Sequence, residues 1–162
     1  RTWTCESRGF TFIRCFDIHK GELKVAEAIS YWALVDLLER KLMRCDGISL
    51  GVEPDEPLEL DVPRRIKAPE GELKTLGTRA IRYSDVDYNN HMNNTRYPDM
   101  LCDFMPVDKI GKIREMTLEF LHESALGDSL TFYGIEGEGR YYFKTVNSAG
   151  DTCLVAEVLT EN

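Results

Sequence analysis

Residues 82–95, a polar stretch between a strand-like run and a helical pattern, limit the fold more than any other part of the sequence. The stretch concentrates aspartate, asparagine and histidine as no other segment of the 162-residue chain does. Asp87, Asn89 and His91 are spaced two residues apart, and on an extended backbone this spacing points their side chains to one side. The sequence therefore predicts a strand over residues 78–87, extended onward to His91, that gathers a carboxylate, an amide and an imidazole.

The residues after this stretch predict a helix with one apolar face. Asn94 or Thr95 can cap its start. Pro98 is tolerated in the first turn and Pro106 ends the helix, so we expect it over residues 95–105. The apolar residues that recur at helical spacing are Tyr97, Met100, Leu101 and Phe104.

Strand patterns occupy most of the remaining chain. The predicted strands are residues 10–16, 24–37, 114–123, 129–135, 140–146 and 152–160. A turn at residues 19–22 joins the first two. The triplet Val-Ala-Glu occurs at residues 25–27 and again at residues 155–157, each time after a strand and a turn. This repetition suggests two copies of one structural unit.

The prolines divide the chain. Four of them stand among acidic residues in the segment 47–77, and few helices or central strands tolerate that density. We therefore predict the end of a first unit in residues 1–46, an irregular linker in residues 47–77 and a complete second unit in residues 78–162. The first unit would lack its own first strand and helix. Its apolar strand faces would then need a longer native chain, a partner subunit, as in a homodimer, or an altered packing.

Composition argues against several classes of function. The net charge of −8 argues against nucleic acid and anionic membrane surfaces as partners. No apolar run is long enough to span a bilayer. The five cysteines are scattered and form no CxxC pair, which indicates reduced thiols in a cytosolic compartment. The three histidines lack metal-ligand spacing, so we expect neither a metal nor another cofactor.

Two motifs resemble those of acyl-ACP thioesterases. The first is residues 82–97, with the pattern Asp-x-Asn-x-His-x-Asn-Asn, and the second is residues 117–124 followed by Gly-Asp-Ser at 127–129. Three shorter segments resemble the end of the family's first repeat: residues 2–4, 12–18 and 30–36. The resemblance implies an α+β double hotdog, in which antiparallel sheet wraps around a central helix. The second hotdog would be complete and the first partial.

The resemblance also implies an activity, which is hydrolysis of fatty acyl thioesters of acyl carrier protein (ACP). The reaction releases free fatty acid and ACP and terminates fatty acid synthesis. Catalytic roles fall to Asp87, Asn89, His91 and Glu123. Glu123 would activate water, or alternatively attack directly, with burial beside an acyl tunnel making it a better base. Asn89 would orient the water or the carboxylate, and Asp87 would fix the amide or the imidazole. His91 would donate a hydrogen bond or pass a proton to the departing thiol.

Other residues complete this expectation. Ser124 stands where a cysteine nucleophile has been proposed for the family, which argues against a cysteine mechanism in this chain. Backbone N–H groups at residues 93–95 are candidate oxyanion donors. Arg64, Arg65 and Lys67 form a small basic cluster that could contact an acidic ACP.

Two other functions stay open. One is a hotdog hydrolase that acts on acyl-CoA, and the other is a non-catalytic hotdog protein that binds acyl thioesters without turnover. We expect a bacterial cytoplasmic location, and a plastid stays open because the sequence begins at Arg1 rather than at methionine.

Overall fold

The computed structural model describes residues 1–36, 38–39, 41–61 and 65–161. The chain divides into two compact units, Arg1–Val62 and Pro63–Asn162, which we call unit 1 and unit 2.

Unit 1 contains an antiparallel sheet of four strands that lie in chain order. They are β1 (Thr2–Thr4), β2 (Thr11–Lys20), β3 (Leu23–Asp36) and β4 (Lys41–Met43). β2 and β3 confirm the two strands predicted here, and β1 and β4 are additions. The predicted turn at 19–22 is too long, because β2 continues to Lys20 and Gly21, with φ 63°, reverses the chain. Leu37, the predicted end of the second strand, lies outside the described residues.

Unit 1 buries few side chains. The buried ones among its described residues are Cys5, Cys15, Asp17 and Cys45. No residue of β3 is buried, and its Trp32 is 61% exposed. The described residues of unit 1 contain no helix. The apolar strand faces that were predicted to lack a helix of their own are therefore exposed within this unit.

Unit 2 contains a five-stranded antiparallel sheet and two short helices. In chain order its elements are β5 (Lys74–Ala80), α1 (Arg96–Cys102), α2 (Val107–Ile110), β6 (Ile113–Phe120), β7 (Ser129–Gly137), β8 (Arg140–Val146) and β9 (Thr152–Thr160). The strand order is β5-β7-β8-β9-β6, so β5 and β6 are the two edges. The segments that follow these edges nevertheless hydrogen-bond to each other, since the Met92 N–H donates to the Ser124 carbonyl at 2.8 Å. The sheet therefore curls.

Helix α1 supplies the centre of the unit 2 core. Its buried residues are Tyr97, Met100 and Leu101. They share one apolar cluster with side chains from β7, β8 and β9. Phe104, just beyond the helix, packs on Phe132 with ring centroids 4.7 Å apart. Gly77 in β5 makes room for this ring, because a Cβ there would lie 2.9 Å from the Phe104 Cε1. The predicted apolar stripe is thus core.

The remaining strands of unit 2 agree well with the sequence. β8 and β9 have the predicted bounds, and β7 extends two residues beyond its predicted end, to Gly137. Glu138 and Gly139 close the β7–β8 turn with φ 48° and 76°. Both copies of the Val-Ala-Glu triplet lie in the second strand of a hairpin, one in β3 and one in β9.

The elements around the polar stretch depart from prediction. β5 begins at Lys74, inside the predicted linker, and ends at Ala80 rather than at residue 87, because its pairing with β7 stops there. A 3-10 turn, Tyr83–Asp85, follows. Helix α1 ends at Cys102 rather than residue 105, β6 ends at Phe120 rather than residue 123, and α2 was not predicted.

No helix in the described part of the chain is long and apolar enough to cross a membrane. In the same residues, no three or more His, Cys, Asp and Glu side chains form a group that could hold a metal ion.

Candidate active site

A cleft of about 410 Å³ lies in unit 2 beside the start of α1. Residues from the polar stretch form one wall, and residues that follow β6 form another. All four predicted site residues line it: Asp87, Asn89, His91 and Glu123. A larger cavity, of about 710 Å³, lies beyond the other end of α1 and contains none of the four. The structure therefore gathers the predicted set at the predicted end of the helix.

The backbone does this by a tight hairpin and not by the predicted extended strand. The Asp87 N–H donates to the His91 carbonyl at 3.1 Å, and the Asn90 N–H donates to the Asp87 carbonyl at 3.0 Å. Val86 and Met92 pair across the hairpin. Asn90 has φ 61°, a conformation that asparagine tolerates. The extended expectation is wrong because the two-residue spacing here spans a reversal of the chain.

Asp87 helps to close this hairpin. Its Oδ1 accepts the backbone N–H of Asn89 at 2.9 Å, a local bond typical of aspartate in turns. One carboxylate oxygen of Asp87 thus shapes the backbone that carries Asn89 and His91. The observed contact is with the backbone of Asn89 and not with its amide side chain.

The loop after β6 docks on the hairpin. His91 and Ala125 form an antiparallel bridge, and the Leu126 N–H donates to the Asn90 carbonyl at 3.1 Å. This pairing brings Nδ1 of His91 to 3.2 Å from Oε2 of Glu123. An imidazole and a carboxylate from distant parts of the sequence therefore meet at ion-pair distance.

The two partners differ in exposure. The side chain of Glu123 is 77% exposed, whereas that of His91 is 39% exposed. The expectation that Glu123 is buried beside an acyl tunnel is therefore wrong for the chain as described. Its carboxylate lies at the open side of the cleft, where a bound ligand would cover it.

A buried aspartate that sequence reasoning missed anchors the base of the hairpin. Asp85 is 3% exposed, and its Oδ1 accepts a hydrogen bond from Nη2 of Arg79 at 2.9 Å. Its Oδ2 accepts the N–H of Arg82 and its backbone carbonyl accepts the N–H of Asn93, both at 2.9 Å. Asp85 thus ties β5 to both ends of the polar stretch. Its place in an Asp-x-Asp pair was the only available signal.

The predicted oxyanion donors are mostly engaged elsewhere. The Asn93 N–H donates to Asp85, and the Thr95 N–H donates to Oδ1 of Asn93 at 2.9 Å. Of the three candidates, only the N–H of Asn94 has no hydrogen-bond partner within the described residues. The prediction of a cluster of free donors at residues 93–95 is therefore wrong for two of its three members.

Ser124 is buried, with 2% exposure, and its Oγ lies 2.9 Å from the Tyr97 hydroxyl. Burial raises the pKa of Tyr97, so this phenol stays protonated at neutral pH. Tyr97 also lines the cleft, as does His122, whose Nδ1 lies 2.9 Å from the carbonyl of Thr152. From the sequence, the apolar stripe that contains Tyr97 was core by default, and which of its members line a channel stayed open, because a helical stripe does not distinguish core positions from cleft positions.

One protein-family model matches this unit. The acyl-ACP thioesterase C-terminal domain matches residues 71–157, which is more than half of the chain. The chain belongs to the acyl-ACP thioesterase family. The match includes the hairpin, α1 and the loop that carries Glu123.

Individual members of this family are similar over different shares of the chain. A chloroplastic palmitoyl-acyl carrier protein thioesterase from Arabidopsis thaliana is 27% identical over 116 residues, covering 66% of this chain and 28% of that protein. An acyl-ACP thioesterase structure from Bacteroides thetaiotaomicron VPI-5482 superimposes with a TM-score of 0.81 at 28% identity, covering 99% of this chain and 67% of that chain. The 12:0-ACP thioesterase from Umbellularia californica gives 0.73 at 18% identity, covering 99% and 66%.

These structures confirm the predicted α+β double hotdog, with an antiparallel sheet around a helix in unit 2 and a partial first hotdog in unit 1. The chain spans little more than a quarter of the length of the Arabidopsis relative.

Proposed function

We propose that the chain carries the hydrolytic site of a fatty acyl-ACP thioesterase, which releases free fatty acid and so terminates fatty acid synthesis. The observation that carries this proposal is the approach of His91 Nδ1 to Glu123 Oε2, 3.2 Å, in a cleft that also presents Asn89 and Asp87. Membership of the family and the similarity to the palmitoyl-ACP and 12:0-ACP thioesterases support the substrate class.

The chemistry needs a base for water and a proton for the departing thiolate. In our proposal the Glu123 carboxylate removes a proton from a water molecule as the water oxygen bonds to the thioester carbonyl carbon. The tetrahedral intermediate then collapses, the carbon–sulfur bond breaks, and the thiolate of the carrier takes up the proton that Glu123 removed from water, which restores the carboxylate. His91 is placed to orient Glu123 through Nδ1, and Asn89 to hold the water or the carbonyl oxygen by its amide.

Ser124 does not fit the role of nucleophile. Its hydroxyl is buried and hydrogen-bonded to Tyr97, while the imidazole of His91 contacts Glu123 instead. A nucleophilic serine needs a base within hydrogen-bond reach and an open path to the substrate. The arrangement therefore supports attack by water with Glu123 as the base.

The partner in this proposal is the acidic carrier protein. Arg65, Lys67 and Arg140 line a shallow groove in unit 2, but Glu115 and Glu157 line it too. Arg64, the remaining member of the predicted basic cluster, lies outside the described residues. We propose ACP as the partner from the family and from these local cations, since the net charge of −8 provides no general attraction for an acidic protein.

A turnover assay tests the function. The purified protein is given acyl-ACP over a series of chain lengths and the matching acyl-CoA thioesters, and thiol release is followed. We expect hydrolysis of acyl-ACP at a higher kcat/KM than of acyl-CoA. Glu123→Gln should lower kcat by about 10²–10⁴-fold, as removal of a general base does.

The matched control is Glu72→Gln, because Glu72 is an exposed glutamate before β5 that lines neither the cleft nor the groove and should be replaceable without loss of activity. Equal turnover of both carriers would favour a general acyl thioesterase. Binding of acyl thioester with no turnover would contradict the proposal and favour a non-catalytic acyl-binding protein.

A further inference from the structure

A buried hydrogen bond joins helix α1 to the loop that carries Glu123. The hydroxyl oxygens of Tyr97 and Ser124 are 2.9 Å apart, and either hydroxyl can donate. Each residue is only 2% exposed. Buried hydroxyls are costly unless they bond to a partner, so the two groups hold each other in place.

Backbone hydrogen bonds attach the loop on both sides of Glu123, beginning with the Leu121 and His122 N–H groups, which donate to the Cys153 carbonyl. Residues 121–124 belong to no strand, and Glu123 reaches out to His91 from a largely exposed position. Upstream of Glu123, the His122 ring contacts the Thr152 carbonyl at the start of β9. Downstream, the Ser124 carbonyl accepts the Met92 N–H. The Leu126 N–H donates to the Asn90 carbonyl beside it, whereas the backbone of Glu123 itself has no hydrogen-bond partner among the described residues.

Tyr97 adds side-chain contacts on both sides of Glu123, at Phe120 and at Ser124. Its ring packs edge-on against Phe120, with centroids 5.5 Å apart, and its hydroxyl bonds to Ser124. Tyr97 belongs to the buried face of α1, together with Met100 and Leu101. The rigidity of the hydrophobic core therefore extends through one phenol to both ends of the segment 121–123.

We propose that Tyr97, acting through the hydroxyl of Ser124, is a positioning residue that holds Glu123 within reach of His91. This inference rests on the proposed thioesterase function and deepens it. Ser124 contributes a hydrogen-bonding oxygen and no covalent step. The position of the loop, and not the chemistry of the serine, is what the pair supplies to the site.

The test is a double-mutant cycle on kcat and KM for acyl-ACP. Tyr97→Phe and Ser124→Ala should each lower kcat roughly 5- to 20-fold with little change in KM, as a small misplacement of a reacting group does. The double variant should be no worse than either single variant, because both remove the same bond. Ser124→Cys should recover part of the loss, since a thiol is a weak partner for the phenol. In a Glu123→Gln background, Tyr97→Phe should not lower kcat any further.

Tyr141→Phe is the matched control. Tyr141 is a buried phenol of β8, 4% exposed, whose hydroxyl donates to Glu136 Oε1 at 2.7 Å outside the cleft. The Tyr141→Phe variant should have a lower melting temperature, as Tyr97→Phe does, but an unchanged kcat. A crystal structure of Tyr97→Phe adds a measurement independent of turnover, in which the Nδ1–Oε2 distance between His91 and Glu123 should exceed about 4 Å.

The outcomes separate the two proposals. Unchanged kcat and an unchanged distance in Tyr97→Phe would overturn the positioning role and leave the proposed function intact. Complete loss of activity in folded Ser124→Ala would overturn the positioning role by making the serine the nucleophile. Full activity in Glu123→Gln would overturn Glu123 as the base, and absence of acyl-ACP turnover in the unmodified protein would count against the proposed function itself.

Discussion

The valine and the alanine of the Val-Ala-Glu triplet are exposed in unit 1 and buried in unit 2. Val25 in β3 is 52% exposed, whereas Val155, the matching residue of the second Val-Ala-Glu triplet, is 9% exposed in β9. Ala26 is exposed and Ala156 is fully buried. Both triplets lie in the second strand of an antiparallel hairpin, so local structure does not account for the difference.

A helix accounts for the burial of Ala156, which belongs to the core cluster around α1, whereas Val155 lies outside that cluster. Unit 2 packs the apolar face of α1 against its sheet and buries a cluster of aromatic and aliphatic side chains. The described residues of unit 1 provide no such element, and they bury three cysteines and one aspartate. The comparison teaches that a strand pattern predicts a strand but not its burial, because burial depends on a second layer.

The largest expected effect comes from two leucines, one in each unit. Leu154→Ala in β9 removes a fully buried side chain, and we expect a loss of about 2–5 kcal/mol in the free energy of unfolding. Leu23→Ala in β3 removes a side chain that is 65% exposed and should cost less than about 1 kcal/mol. Urea titration followed by circular dichroism measures both. Equal losses would break the comparison and show that Leu23 is covered in solution, for example in a dimer.

A smaller effect separates two aspartates with similar partners. Asp85 in unit 2 accepts bonds from Arg79 and from a backbone N–H with its side chain 5% exposed, so Asp85→Ala should cost about 1–3 kcal/mol. Asp46 in unit 1 accepts a bond from Arg44 and from the Gly9 N–H, but its side chain is 48% exposed. Asp46→Ala should cost about 0–1 kcal/mol. A larger loss at Asp46 than at Asp85 in urea titration would contradict the contrast.

The smallest effect is a difference in alkaline stability. Burial, a hydrogen bond to Cys15 and nearby acidic residues raise the pKa of Cys5 from 9.0 to about 11. Burial and the bond to Glu136 raise the pKa of Tyr141 from 10.0 to about 12. Each group binds its proton more tightly in the folded state, so its stabilisation is complete below the unfolded pKa and is lost as pH rises through the folded pKa.

Unit 1 should therefore begin to lose stability about one pH unit earlier than unit 2. In urea midpoints recorded from pH 8 to pH 11, Cys5→Ala should remove the decline that begins near pH 9.0, and Tyr141→Phe should remove only the part that begins near pH 10.0. A decline that neither variant alters would mean that other groups control it.

The sequence predicted those elements whose signals are local. β8 and β9 have the predicted bounds because turn residues flank them and apolar residues fill them. The apolar stripe of α1 was predicted for the same reason. The strand leading to the hairpin was misplaced, since its end depends on where β5 stops pairing with β7, and that pairing joins Ala80 to Ser129.

The sequence indicated which residues line the cleft better than it indicated how the backbone brings them together. The spacing of Asp87, Asn89 and His91 singled out a segment that lines the cleft, but a hairpin and not the expected strand brings the three residues together. Glu123 came from family resemblance, since no local pattern distinguishes it from a surface glutamate. The second role of Tyr97 depends on a contact with Ser124, 27 positions further along the chain, which periodicity does not encode.

Hydrogen exchange can follow the bond from the Met92 amide to the Ser124 carbonyl. This bond joins the two wall segments of the cleft, so its proton exchanges with solvent only when those segments separate. The exchange rate of this one amide therefore reports how often the segments that carry His91 and Glu123 separate in a chain that is otherwise folded. Hydrogen exchange at Met92 therefore measures the opening of the cleft without any substrate.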